Sequence, residues 1–270
     1  MHSGSEMSAA SAGPAPGVIV VGMHRSSTSL VASAFASCGY RVADEMLKAR
    51  PDNPKGYFED AEVHFLHRRM LEAYDTAWDL SPRLRRLRAR PDLPMPTHLA
   101  ERADAAVDYY RSDGPWVWKN PRTTLFMQEW GRRFPEARFV LCVRAPGEVV
   151  DSMMRRGDRM RISARRPLYR TRRLFRGLSV WYSYNLIAWR YAKQFPDRVV
   201  VVRIPEDIPV LARSADVYEP SLLRKGRAQV RLPALLALRT RWLYVRLCRL
   251  ADPVRLEDLL LHSVTDADRV

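Results

Sequence analysis

Gly17-Val18-Ile19-Val20-Val21-Gly22-Met23-His24-Arg25-Ser26-Ser27-Thr28-Ser29-Leu30 is the stretch that decides the fold. A β-branched run stops at Gly22, hydroxyl residues follow, and apolar residues then recur at helical spacing through Leu30, Val31, Ala34 and Phe35. The pattern predicts a strand over 17–22 feeding a short loop that opens a helix over about 26–38. Backbone N–H groups and the dipole at such a helix start favour an anion. Set against the phosphate-binding pattern G-x-x-x-x-G-K-[ST], the string runs from Gly22 to Ser29 but carries Ser27 and Thr28 where glycine and lysine are expected. The loop keeps an anion cradle and moves its cation to Arg25. That suits a Mg-bound triphosphate less well than another phosphate-bearing group.

Working outward, apolar runs and turn signals alternate in the manner of a parallel sheet covered on both sides. Helices are expected near 60–75 and 97–112, with a loop over 41–58 marked by Pro51, Asn53, Pro54 and Gly56. Trp116-Val117-Trp118 reads as a short strand ended by Lys119-Asn120-Pro121, followed by a helix to about Phe134. Arg138–Val143 and Arg198–Arg203 are nearly continuous apolar runs, as strands buried on both faces require. Pro146 suits the first turn of a helix reaching about Arg156, and a long helix covers roughly 173–194. The rest, about 208–270, reads as a helical part of the same domain, with an amphipathic stretch from about Pro233 to Leu250. Residues 1–16, rich in Ser, Ala, Gly and Pro, read as a disordered leader. Ligands of such sheets bind beyond the carboxyl ends of the strands. Three polar clusters, His24 to Ser29, Lys119-Asn120 and Arg144, fall at those ends and should converge.

Composition bounds the partners. The 270 residues are 47% hydrophobic, enough for a sizeable core, and carry a net charge of +15. Arginines crowd 83–90 and 155–176. They either fill solvated faces or build a field for an anionic acceptor or a membrane surface. No nucleic-acid motif accompanies them, and the aromatics are not interleaved with them as a stacking platform needs. Cys38, Cys142 and Cys248 are odd in number, scattered and lack metal-ligand spacing; the apolar settings of Cys38 and Cys142 point to buried reduced thiols and a cytoplasmic location. No apolar run approaches the ~20 residues of a membrane span.

Four strings in order carry a resemblance. They are Gly22 to Leu30, Asn53-Pro54-Lys55-Gly56-Tyr57-Phe58-Glu59, Trp118-Lys119-Asn120-Pro121-Arg122, and Val143 to Ser152. Together they resemble the bacterial and glycan-type branch of the sulfotransferases that use 3′-phosphoadenosine 5′-phosphosulfate and release 3′,5′-adenosine bisphosphate. The likeness covers about 17–207, where Val202-Arg203-Ile204-Pro205-Glu206-Asp207 is similar to the family's strand ending in an acidic pair. It implies an α/β, P-loop-containing nucleotide triphosphate hydrolase-like fold with a central parallel sheet.

The resemblance also implies roles. Gly22, His24, Arg25, Ser26, Ser27, Thr28 and Ser29 would form the cradle for the 5′-phosphosulfate. Arg144 and Ser152 would take the 3′-phosphate, and Lys119 the bridging oxygen or the moving sulfuryl group. Catalysis would fall to Glu59 as base, with Lys119 and Arg25 as fixed cations in place of a metal. Asp60 and His24 stay open as alternative bases, and Asp60 could equally cap the following helix. His64 and His67, three apart, either line the acceptor pocket or sit on a mixed surface face. Arg144 could instead pair with Glu148, leaving Ser152 in water. Relatives commonly carry glycine where Ser27 stands, so donor binding could be weakened. Arg224-Lys225-Gly226 is similar to a donor-binding element of cytosolic sulfotransferases, without the residues that should follow it. The expected acceptor is a hydroxyl or amine of a small molecule, saccharide or glycolipid. A P-loop kinase of a small metabolite and a non-catalytic basic adaptor are the alternatives, and oligomeric state is open.

Overall fold

The computed structural model describes residues 17–48, 57–79, 86–90, 92–159, 167–214 and 234–267. Four strands, β1 (Gly17–Gly22), β2 (Trp116–Lys119), β3 (Arg138–Arg144) and β4 (Val199–Ile204), form one sheet in the order β2-β1-β3-β4. Every pairing is parallel, with Ile19 opposite Trp118 and Phe139, and Cys142 opposite Val202. The chain leaves β1 for one edge and returns to pair β3 on its other side. Strand order therefore reverses at β1, which places the ligand crevice at the end of that strand.

The helices in chain order are α1 (Thr28–Ser37), α2 (Ala61–Ala73), α3 (Ala100–Arg111), α4 (Met127–Arg133), α5 (Pro146–Arg159), α6 (Pro167–Gln194), α7 (Ile208–Ser214), α8 (Ala234–Cys248) and α9 (Pro253–Ala267). Alternating strand residues face opposite layers, so each strand reads as a continuous apolar run. Ile19, Val21, Trp116, Trp118, Phe139, Leu141 and Val201 point into a core shared with α2, α3, α4 and α6. Val18, Val20, Val117, Val140, Cys142 and Val202 point into the other, packed with α1, α7 and α9.

The first layer is aromatic. Trp118 meets Trp130 edge-on at 4.7 Å, and Trp116 lies 4.9 Å from Phe134. Gly17 is required beneath this cluster: a Cβ there would stand 2.1 Å from the Trp116 ring. The expected elements are all present, with two adjustments. The long helix starts at Pro167 rather than near 173, and Pro121–Phe126 is a 3-10 turn ahead of α4. Cys38 and Cys142 are buried and in no disulfide among the described residues, as their apolar settings implied.

Candidate active site

The loop after β1 is built from backbone conformations that L-residues seldom adopt. Gly22 leaves the strand at φ 140°, and a Cβ there would meet the Cys142 carbonyl at 2.6 Å. Its N–H donates to Thr124 Oγ1 at 2.9 Å, and the Thr124 hydroxyl lies 3.2 Å from the Gly22 carbonyl. Arg25 (φ 72°) and Ser27 (φ 61°) are both left-handed, flanking Ser26, whose N–H returns to the Met23 carbonyl at 3.1 Å. Alternation of this kind turns successive N–H groups toward one concavity, the geometry of an anion-binding nest. Ser27 thus occupies a conformation that favours glycine, and its hydroxyl does not cap α1. Ser26 and Thr28 are buried, while the Ser29 hydroxyl donates to the Tyr57 carbonyl at 3.1 Å.

Across the crevice stands Glu59, only 4% exposed. Phe58 (φ 51°) turns the chain toward α2, and hydrogen bonds from Leu47 N–H to the Glu59 carbonyl and from Ala61 N–H to Glu45 fix the segment. Glu59 Oε1 accepts from Lys119 Nζ at 2.9 Å. Oε2 lies 3.1 Å from His64 Nδ1, 3.3 Å from Asn120 Nδ2 and 3.8 Å from Arg122 Nη1. Burial pushes the Glu59 carboxyl up, but the Lys119 charge, the His64 hydrogen bond and nearby His24 outweigh it and pull the pKa down to about 2. Lys119, 3% exposed at the end of β2, is held below the usual lysine range by burial, with Glu59 opposing that shift.

On the other flank Arg25 Nε donates to Ser152 Oγ at 3.1 Å, and Arg144 Nη1 to the Arg25 carbonyl at 3.3 Å. The three predicted clusters do converge at one sheet edge. Arg144 Nε also pairs with Glu148 at 2.7 Å, the bland alternative, yet Ser152 is buried against Arg25 rather than in water. His24 packs 4.4 Å from the Trp78 ring and 5.9 Å from Tyr184.

One expectation needs correction. His64 and His67 do not share a surface face. His64 joins the Glu59 cluster, whereas His67 is fully buried and accepts from Trp130 Nε1 at 2.8 Å. Asp60 caps α2, accepting from the N–H groups of Glu62 and Val63 and from Tyr110 Oη at 2.6 Å. Several crowded arginines are committed to structure: Arg155 pairs with Asp151, Arg176 with Asp79, and Arg173 donates to the carbonyls of Met153 and Met154. Asn53 to Gly56, Arg83, Arg85, Arg224 to Gly226 and the 1–16 leader lie outside the described residues.

Two participants, Arg122 and Thr124, were given no role by the sequence. Asn120 and Arg122 sit in a string already singled out, and Asn-Pro signals the turn that Asn120 caps by accepting from the Arg122 N–H. Thr124 gave no signal. Among the described residues no group of three or more His, Cys, Asp or Glu could hold a metal ion.

A profile describing the sulfotransferase family matches residues 16–204. The chain belongs to the sulfotransferase family. Every participant named above falls inside that span, and sulfuryl transfer is the general activity that membership carries. A search of curated proteins returned no match. Among the described residues no helix is long and apolar enough to cross a membrane.

Proposed function

We propose that this sulfotransferase moves the sulfuryl group of 3′-phosphoadenosine 5′-phosphosulfate to a hydroxyl or amine of a small-molecule, saccharide or glycolipid acceptor. The observation that supports it best is the buried Lys119–Glu59 pair beside an anion nest at the sheet's switch point. A fixed cation and a fixed carboxylate are what in-line transfer from a phosphate leaving group requires. When bound, the donor supplies an activated sulfur whose bond to the bridging oxygen breaks as the acceptor oxygen or nitrogen attacks. The electron pair stays on the departing phosphate, and the proton that the acceptor loses passes to Glu59.

The chain's own residues do the rest. Loop N–H groups and Arg25 hold the 5′ end, while Arg144 exchanges Glu148 for the 3′-phosphate with Ser152 beside it. Lys119 turns from Glu59 toward the bridging oxygen and offsets charge growing there. That exchange activates Glu59. A carboxylate held near 2 by Lys119 is a feeble base, and without that partner burial pushes its proton affinity up.

Calorimetric titration with 3′,5′-adenosine bisphosphate, set beside ADP plus Mg²⁺, tests the reading. Metal-free binding of the bisphosphate, lost in Arg144→Ala, is expected. A preference for Mg-ADP indicates a kinase, and indifference to both indicates a basic adaptor.

A further inference from the structure

Helix α8 is apolar on two opposite sides. Thr240, Leu243 and Leu247 are buried, the two leucines packing into the aromatic core layer. Roughly half a turn round the helix, at about 100° per residue, Leu238, Trp242 and Val245 form a second stripe, exposed by 65%, 48% and 40%. Its spacing, i, i+4, i+7, is that of one continuous helical face.

The flanks of this stripe are cationic. Arg239 and Arg246 lie on one side, Arg241 on the other, and Arg249 closes the end just past the helix; all four are exposed. Among the described residues no carboxylate pairs with any of them, and α8 itself contains no acidic residue. The Arg246 guanidinium sits 5.4 Å over the Trp242 ring, which meets Trp189 of α6 edge-on with ring centres 5.7 Å apart. Trp242 thus stays half-exposed against α6, an apolar ring with cations around it.

We infer that the outer face of α8 docks on an anionic lipid bilayer. The stripe enters the boundary between headgroups and acyl chains while the flanking guanidinium groups meet lipid phosphates and carboxylates. Leu and Trp at the centre with arginines snorkelling at the sides is the pattern of an interfacial helix lying in the membrane plane. Charge separates this occupant from the others. A second copy meeting the first through the same face would bring two sets of arginines together. A nucleic acid would satisfy the arginines but offers no apolar bed for Leu238 and Val245. The net charge of +15 draws the whole chain toward the same surface. This docking requires none of the chemistry proposed for the crevice.

The test uses the full chain and vesicles of phosphatidylcholine with or without phosphatidylserine, at physiological salt. Co-sedimentation with the serine-containing vesicles is expected, together with quenching of Trp242 emission by lipids brominated high in the acyl chain. The combined Leu238→Ser, Trp242→Ser and Val245→Ser variant should weaken binding by more than about tenfold, as loss of this apolar area implies. Its melting temperature and bisphosphate affinity should not move. Arg239→Gln, Arg241→Gln and Arg246→Gln together should remove the preference for anionic vesicles. Undiminished binding of the serine variant overturns the inference, because net charge alone then holds the protein. Equal binding to neutral vesicles, or no binding, overturns it too. So does a dimer that the serine variant dissolves without any lipid association.

Discussion

Glu59 carries its charge in a place where burial alone would neutralise it, and Lys119 is the main reason it can. Two groups so coupled behave differently singly and together. Lys119→Met strands a buried carboxylate and should destabilise the fold by about 3–5 kcal/mol. Part of that loss should return as the medium is acidified and Glu59 takes up a proton. Adding Glu59→Gln to Lys119→Met should recover most of it in chemical denaturation, and strictly additive losses would refute the coupling. Ser27 presents the opposite situation, a residue under backbone strain with no capping bond in return. Ser27→Gly is expected to relieve about 1 kcal/mol and to leave bisphosphate binding as tight or tighter. Weaker binding would mean the serine hydroxyl itself holds the ligand.

At the scale of elements, α2 separates two neighbouring carboxylates that sequence reasoning could only rank. Asp60 spends both oxygens on its helix start and Tyr110, while Glu59 accepts from Lys119 at the end of β2. Asp60→Ala should lower stability by about 1–2 kcal/mol with turnover within a few-fold of the parent. A collapse of turnover matching that of Glu59→Gln would transfer the base role to Asp60. The strands were legible because burial on both faces leaves short uninterrupted apolar runs, and the loop because Gly22 and the hydroxyl cluster break one cleanly. His67 was not. A histidine three residues from another on an amphipathic helix looks polar until a tryptophan 63 positions away supplies its hydrogen bond. Thr124 was hidden for the same reason, since its partner Gly22 is 102 residues distant.

Across the whole molecule the core contains a titratable group that the crevice does not use. Burial, with Arg122 and His64 adding to it, pulls His67 from 6.5 down to about 3. Its folded pKa lies below the unfolded one, so its contribution is full above about 6.5 and is lost as pH falls toward 3. His67→Gln keeps an acceptor for Trp130 but cannot titrate. Its stability, followed by denaturation across that window, should fall less steeply with acid than the parent's. A parallel fall would show that other groups set the acid limit. The Ser29–Tyr57 hydrogen bond reaches further than its length suggests. It splices the first turn of α1 to the segment that carries Glu59, so the two walls of the crevice share one mechanical joint. Any ligand that tightens one wall then biases the other, and free-energy linkage makes that influence equal in both directions. Donor and acceptor would then sense each other through that joint as well as at the sulfur where they meet.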